Sequence, residues 1–89
     1  MNSKEFNQAV EIVKKLRQKP DQEELLQLYG LFKQAIIGNN NKEKPGMFSF
    51  TEGYKWKAWN NNKGKNKETA EKEYIILLNI LIKKYKLKN

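Results

Sequence analysis

Cysteine and histidine are both missing from this 89-residue chain, arginine occurs once and proline twice. Without a thiol or an imidazole there is no disulfide framework, no Cys/His zinc site and no Ser-His or Cys-His couple, so the commonest nucleophilic and metal-assisted chemistries are excluded. The carboxylates form no convincing catalytic pair either. A binding module is therefore expected, and an enzyme is not. Long apolar runs are also lacking at the start, where Met1-Asn-Ser-Lys-Glu-Phe gives neither a secretory signal nor a membrane span. The cytoplasm is the expected compartment.

What is present is lysine: 17 of the 18 basic residues, against 10 acidic ones, for a net charge of +8. Such a chain attracts polyanions, whether nucleic acid, an anionic lipid surface or a small ligand with several phosphates. Bulk charge does not choose among them, and the lysine and asparagine bias fits A/T-rich coding as well as function. Only lysines in special positions carry weight. At 38% hydrophobic and 31% charged residues the composition suits one modest core, and residues 1–89 are read as a single domain.

Apolar spacing gives four helices. Phe6, Ala9, Val10, Val13 and Leu16 form the first stripe, which stops before Pro20. Asp21 and Glu24 make a capping-box pair for the second helix, continued by Leu25, Leu28, Tyr29, Phe32, Ala35 and Ile36 and ended at Gly38. No helical period persists from residue 39 to 50, a connection longer than bundles usually need. The cluster Met47, Phe48 and Phe50 after Pro45-Gly46 is expected to pin that loop to the core. Ser49 and Glu52 then open a third, shorter helix holding Tyr54 through Trp59, ended by Lys63-Gly64. Asn66 caps the fourth, with Ala70, Tyr74, Leu78, Leu81 and Tyr85 as its buried stripe and Leu77 and Ile82 on the flanks. Four helices with one long connection make a bundle.

Function is best sought in the lysines that stand beside aromatics. Tyr29 and Lys33 are four apart on one helix face, so one phosphate can receive both a phenol hydrogen bond and a charge-assisted ammonium bond. Lys55 precedes Trp56, and Trp56 and Trp59 share a face three apart. Each fragment has a plain alternative: a core tyrosine with a solvated lysine, a tryptophan filling a small core, or an aromatic and lysine platform for nucleic-acid bases. The last is weakened by the single arginine and by the lack of a recognised nucleic-acid motif.

Taken in order, Tyr29-x-x-x-Lys33-Gln-Ala, Gly38, Pro45-Gly46, Lys55-Trp56-x-x-Trp59, Lys63-Gly64 and Tyr74 resemble the acyl-CoA-binding proteins, over nearly the whole chain from Phe6 to Tyr85. The resemblance implies an all-α, up-down-down-up four-helix bundle that binds, pools and carries medium- to long-chain fatty acyl-CoA without catalysis. It further implies that Tyr29 and Lys33 meet the 3′-phosphate of the CoA ribose, with Lys33 also near the thioester region, and that Lys55 meets the CoA phosphates. Tyr74 would close the site from helix four. Lys14 would lie near the nucleotide, Val10 and Phe32 would border the adenine, and Leu25, Leu26 and Leu28 would line the acyl groove. Phe32 departs from the family habit of a second tyrosine, so stacking is kept but a hydroxyl bond is lost. Thr51, Glu52 and Gly53 replace a segment that often supplies lysines, leaving Lys55 with less local help.

No cofactor or metal is expected, and no nucleic-acid partner; the competing reading is a small basic binder of nucleic acid or of an anionic membrane surface. A monomer is expected, with transient contacts to membranes or to enzymes that use acyl-CoA. The resemblance does not account for residues 74–82, which are apolar nearly all round. Ile76 and Ile80 lie opposite the core stripe there, either as ordinary exposed aliphatics or as a contact patch.

Overall fold

The computed structural model describes residues 2–89, and the expected all-α four-helix bundle is what it contains: α1 (Lys4–Val13), α2 (Gln22–Ile36), α3 (Phe50–Asn60) and α4 (Lys67–Tyr85). Three of the four starts have a local cause. Ser3 Oγ accepts from the Phe6 backbone, Asp21 and Glu24 form both bonds of the capping box, and Asn66 accepts from Thr69. The box expected at Ser49 and Glu52 is a correction: the Ser49 side chain makes no capping bond. Its ψ is 70°, against the extended values of 157–172° at the other three caps, so its hydroxyl is turned from the first-turn amides.

α1 also stops earlier than its stripe suggests. The helix ends at Val13, and Leu16 is buried by another route, as part of an isolated antiparallel bridge with Leu87. Arg17 N–H donates to the Lys86 carbonyl and Lys88 N–H to the Lys15 carbonyl, each at 2.8 Å. The chain reaches this pairing through Lys86, whose φ of 65° is the one positive value outside glycine among the described residues.

α2 packs against both α3 and α4, while α1 packs against α4. A helix with two partners buries a wide arc, and here the arc includes Leu31 and Gln34 but leaves Ile36 exposed, contrary to the stripe read from spacing. The stripe of α4 is as expected: Ala70, Tyr74, Leu78 and Leu81 are buried, and Leu77, Ile82 and Tyr85 lie half-buried beside them. At the crossing of α2 and α3, Gly30 permits an unusually close approach. A Cβ there would stand 2.3 Å from the Ala58 carbonyl oxygen.

Two carboxylates tie distant segments. Glu24 accepts from its own cap, from Lys84 Nζ at 2.8 Å and from the Tyr85 hydroxyl, joining the start of α2 to the end of α4. Those bonds, Lys84 first, hold its pKa at about 2 instead of 4.5. The folded value is the lower one, so this stabilisation is present at neutral pH and is lost as pH falls from about 4.5 to about 2. Glu71 is buried, which pushes its carboxyl up, but bonds from Asn2 Nδ2 and the Ser3 amide outweigh burial and leave it lowered.

The long connection between α2 and α3 is present, but Met47, Phe48 and Phe50 do not pin it. They are 83%, 83% and 65% exposed. The loop is fastened instead by polar groups near its start. Asn39 Oδ1 accepts from Gln34 Nε2 and from the Gly64 amide, Asn40 Nδ2 donates to the Trp56 carbonyl, and the Trp56 indole donates to the Lys42 carbonyl.

Candidate ligand site between α2 and α3

The two lysines singled out by position face each other's helices. Lys33 on α2 sets its ammonium 4.8 Å from the centre of the Trp59 ring on α3, and Lys55 on α3 sets its own 5.0 Å from the Tyr29 ring on α2. The four side chains thus form a reciprocal crossing, two cations and two rings. Tyr29, Lys33 and Lys55 are half-buried, while Trp59 is almost wholly enclosed and donates its indole N–H to the Gly38 carbonyl at 2.8 Å. That bond satisfies a carbonyl at the end of α2, beside the left-handed Gly38 with φ of 98°.

Neither lysine of the crossing has a carboxylate partner among the described residues. The ion pairs there are Lys14–Glu11, Lys65–Glu73 and Lys84–Glu24. An amine held by a ring face keeps its charge unneutralised and its N–H donors available. Two such amines beside a phenol suit an incoming ligand with more than one negative oxygen.

The remaining candidates fall into three environments. Phe32 and Val10 are half-buried against the core, and Phe32 stacks at 6.2 Å on Phe6, which meets Tyr74 edge-on at 5.1 Å. Tyr74 is itself buried, and desolvation raises its phenol to about 12, so it stays protonated at any ordinary pH. Lys14 lies on the exposed surface just past α1, paired at 3.1 Å with Glu11.

Of the three leucines, Leu28 is a core residue, Leu25 is half-buried, and Leu26 borders a groove of about 420 Å³. Leu26 lies three residues before Tyr29 and seven before Lys33, and so shares their side of α2. The groove extends from Leu26 past the Gly30 crossing to Leu31, Tyr54 and Ala58, with Lys57, Lys65, Glu23 and Glu73 among its polar lining.

Sequence reasoning named Gln34 only as part of a motif and gave it no role. It is completely buried, and its amide donates to Asn39 Oδ1 and to the Lys65 carbonyl, so it joins α2 to the turn between α3 and α4. The available signal was its place three residues after Leu31, on the buried arc where a polar side chain needs partners. Leu31, Tyr54 and Ala58 were likewise not singled out as groove residues.

The family profile for acyl CoA binding protein matches residues 3–78. An acyl-CoA-binding protein of Saccharomyces cerevisiae is 53% identical over 85 residues, covering 96% of this chain and 98% of its own length. The solution structure of the yeast acyl coenzyme A binding protein superposes with a TM-score of 0.74 at 52% identity, over 94% of this chain and 98% of its own. A crystal structure from Moniliophthora perniciosa gives 0.88 at 39% identity, over 99% of this chain and 87% of that one. With the motifs, the bundle and these likenesses in agreement, the chain belongs to the acyl-CoA-binding protein family.

Proposed function

We infer that this protein binds and carries fatty acyl-CoA thioesters, acting through residues 1–89 as one domain and without catalysis. The carrying observation is the reciprocal crossing, in which Lys33 and Lys55 hold uncompensated amines beside the Tyr29 phenol. CoA is rich in phosphate oxygens, and its acyl tail is insoluble in water, so a suitable site needs cations, a flat apolar face and a sheltered strip together. Tyr29 and Lys33 are assigned to the 3′-phosphate of the ribose, with Lys33 also near the thioester, and Lys55 to the other CoA phosphates. Val10 and Phe32 border the adenine, Lys14 adds charge near the nucleotide, and Tyr74 closes the site from α4. Leu25 and Leu26 shelter the tail, with Leu28 beneath them in the core.

Binding without chemistry accords with a chain that lacks cysteine and histidine. It needs no cofactor or metal, and it works as a cytoplasmic monomer that exchanges its cargo with enzymes making or using acyl-CoA. Nothing among the relatives supports nucleic acid as the principal ligand. Binding energy then divides in two: charge-assisted bonds orient the head, and each buried methylene adds roughly 0.8 kcal/mol before ordering costs. Calorimetry with CoA, octanoyl-CoA and palmitoyl-CoA should show affinity rising steeply in that order, and Lys33→Ala should weaken all three by roughly ten- to a hundredfold without lowering the melting temperature. Equal affinities across the series, or an unaffected Lys33 variant, would overturn this assignment.

A further inference from the structure

The apolar residues that fail to reach the core are grouped. Met47, Phe48 and Phe50 are mostly exposed, and Tyr54, one turn after Phe50 on α3, is half exposed. A loop and helix start that together present four large apolar side chains to water are ordinarily costly. This loop is also fastened at its base, where Asn40 bonds the Trp56 carbonyl and the Trp56 indole bonds the Lys42 carbonyl, and it is turned by the Ser49 amide bonding the Gly46 carbonyl. The tip is therefore displayed from a secured support, and little further ordering is needed for it to engage a partner.

Its surroundings indicate the chemistry of that partner. Lys42 and Lys44 precede the tip, and neither is in an ion pair among the described residues. Glu43 and Glu52 formally balance those two charges, so the attraction to anions comes from the molecule as a whole, which carries +8. Two copies meeting tip to tip would bring like charges together, whereas an anionic bilayer offers a hydrocarbon boundary beneath negative headgroups. The Ile76 and Ile80 patch on α4 is the poorer candidate. It has two aliphatic side chains, no aromatic ring suited to the headgroup boundary, and exposures of 59% and 55%.

We propose that residues 47–50 are a docking element for anionic phospholipid membranes: Met47, Phe48 and Phe50 enter the headgroup and acyl boundary while Lys42 and Lys44 meet lipid phosphates and carboxylates. None of the five is among the residues assigned to the acyl-CoA site, so docking is separable from ligand binding. The full chain should float with vesicles of phosphatidylcholine containing phosphatidylserine, and far less with phosphatidylcholine alone. The combined Met47→Ser, Phe48→Ser and Phe50→Ser variant should lose at least roughly tenfold in partitioning. Lys42→Gln and Lys44→Gln should each cost roughly fivefold. Ile76→Ser with Ile80→Ser should leave partitioning unchanged. Because the tip is exposed, thermal melting of the triple variant should match that of the parent, which guards against misfolding as the cause. Failure of the parent to bind phosphatidylserine vesicles, undiminished flotation of the triple variant, or concentration-dependent self-association that the triple variant abolishes would each overturn the proposal, the last in favour of a second copy as the occupant.

Discussion

Residues 74–82 of α4 and residues 47–50, which lead into the first residue of α3, are both rich in large apolar side chains, and they end in opposite places. In α4 the helical repeat divides the run: Tyr74, Leu78 and Leu81 face inward, and Ile76 and Ile80 face water. The shorter run has no repeat of its own to assign a face, and all three of its large side chains remain outside. Hydrophobicity says what a side chain favours, but only a regular backbone says which way it points. In irregular chain the location is decided by whichever backbone groups find partners, and here those partners are Asn39, Asn40 and Trp56.

The contrast can be tested by substitutions of decreasing effect. Leu81→Ala removes an almost completely buried side chain of the α4 stripe, and chemical denaturation should show a loss of about 2–5 kcal/mol. A loss under about 1 kcal/mol would mean that the inner face of α4 is less tightly packed than described. Trp59→Phe keeps an aromatic ring but removes the donor to the Gly38 carbonyl, and should cost about 1–3 kcal/mol. Amide exchange near Gly38 and in the loop beyond it should quicken at the same time, whereas a uniform change across the bundle would argue against a local fastening role. Phe48→Ser should alter stability by no more than about 0.5 kcal/mol, because the ring contacts solvent in the parent. A larger loss would return Phe48 to the core, where its hydrophobicity alone had put it.

Much of the bundle could be read from residues alone because its determinants are local. The capping pair Asp21 and Glu24, the cap at Asn66, the left-handed Gly38 and the stripe of α4 each depend on neighbours within a turn or two. Tyr29 and Lys33 were equally legible, since four-residue spacing fixes a shared face. The reciprocal crossing was not. That Lys33 meets Trp59 and Lys55 meets Tyr29 depends on how closely α2 and α3 approach at Gly30, a property of two helices together. The same limit applies to Leu16. Its burial was anticipated as the end of a helical stripe, but it is achieved by pairing with Leu87, a partner that no local pattern indicates.

That pairing also bears on the order of assembly. The segment around Leu87 follows all four helices in the chain, so the region after α1 finds its backbone mate only once α2, α3 and α4 have been made. Lys86 adopts an uncommon positive-φ conformation to deliver it, at a local cost of about 1–3 kcal/mol that the surrounding contacts must offset. Pairing of residues 15–17 with residues 86–88 is accordingly expected among the later steps of folding, because it needs segments made before and after all the helices between them.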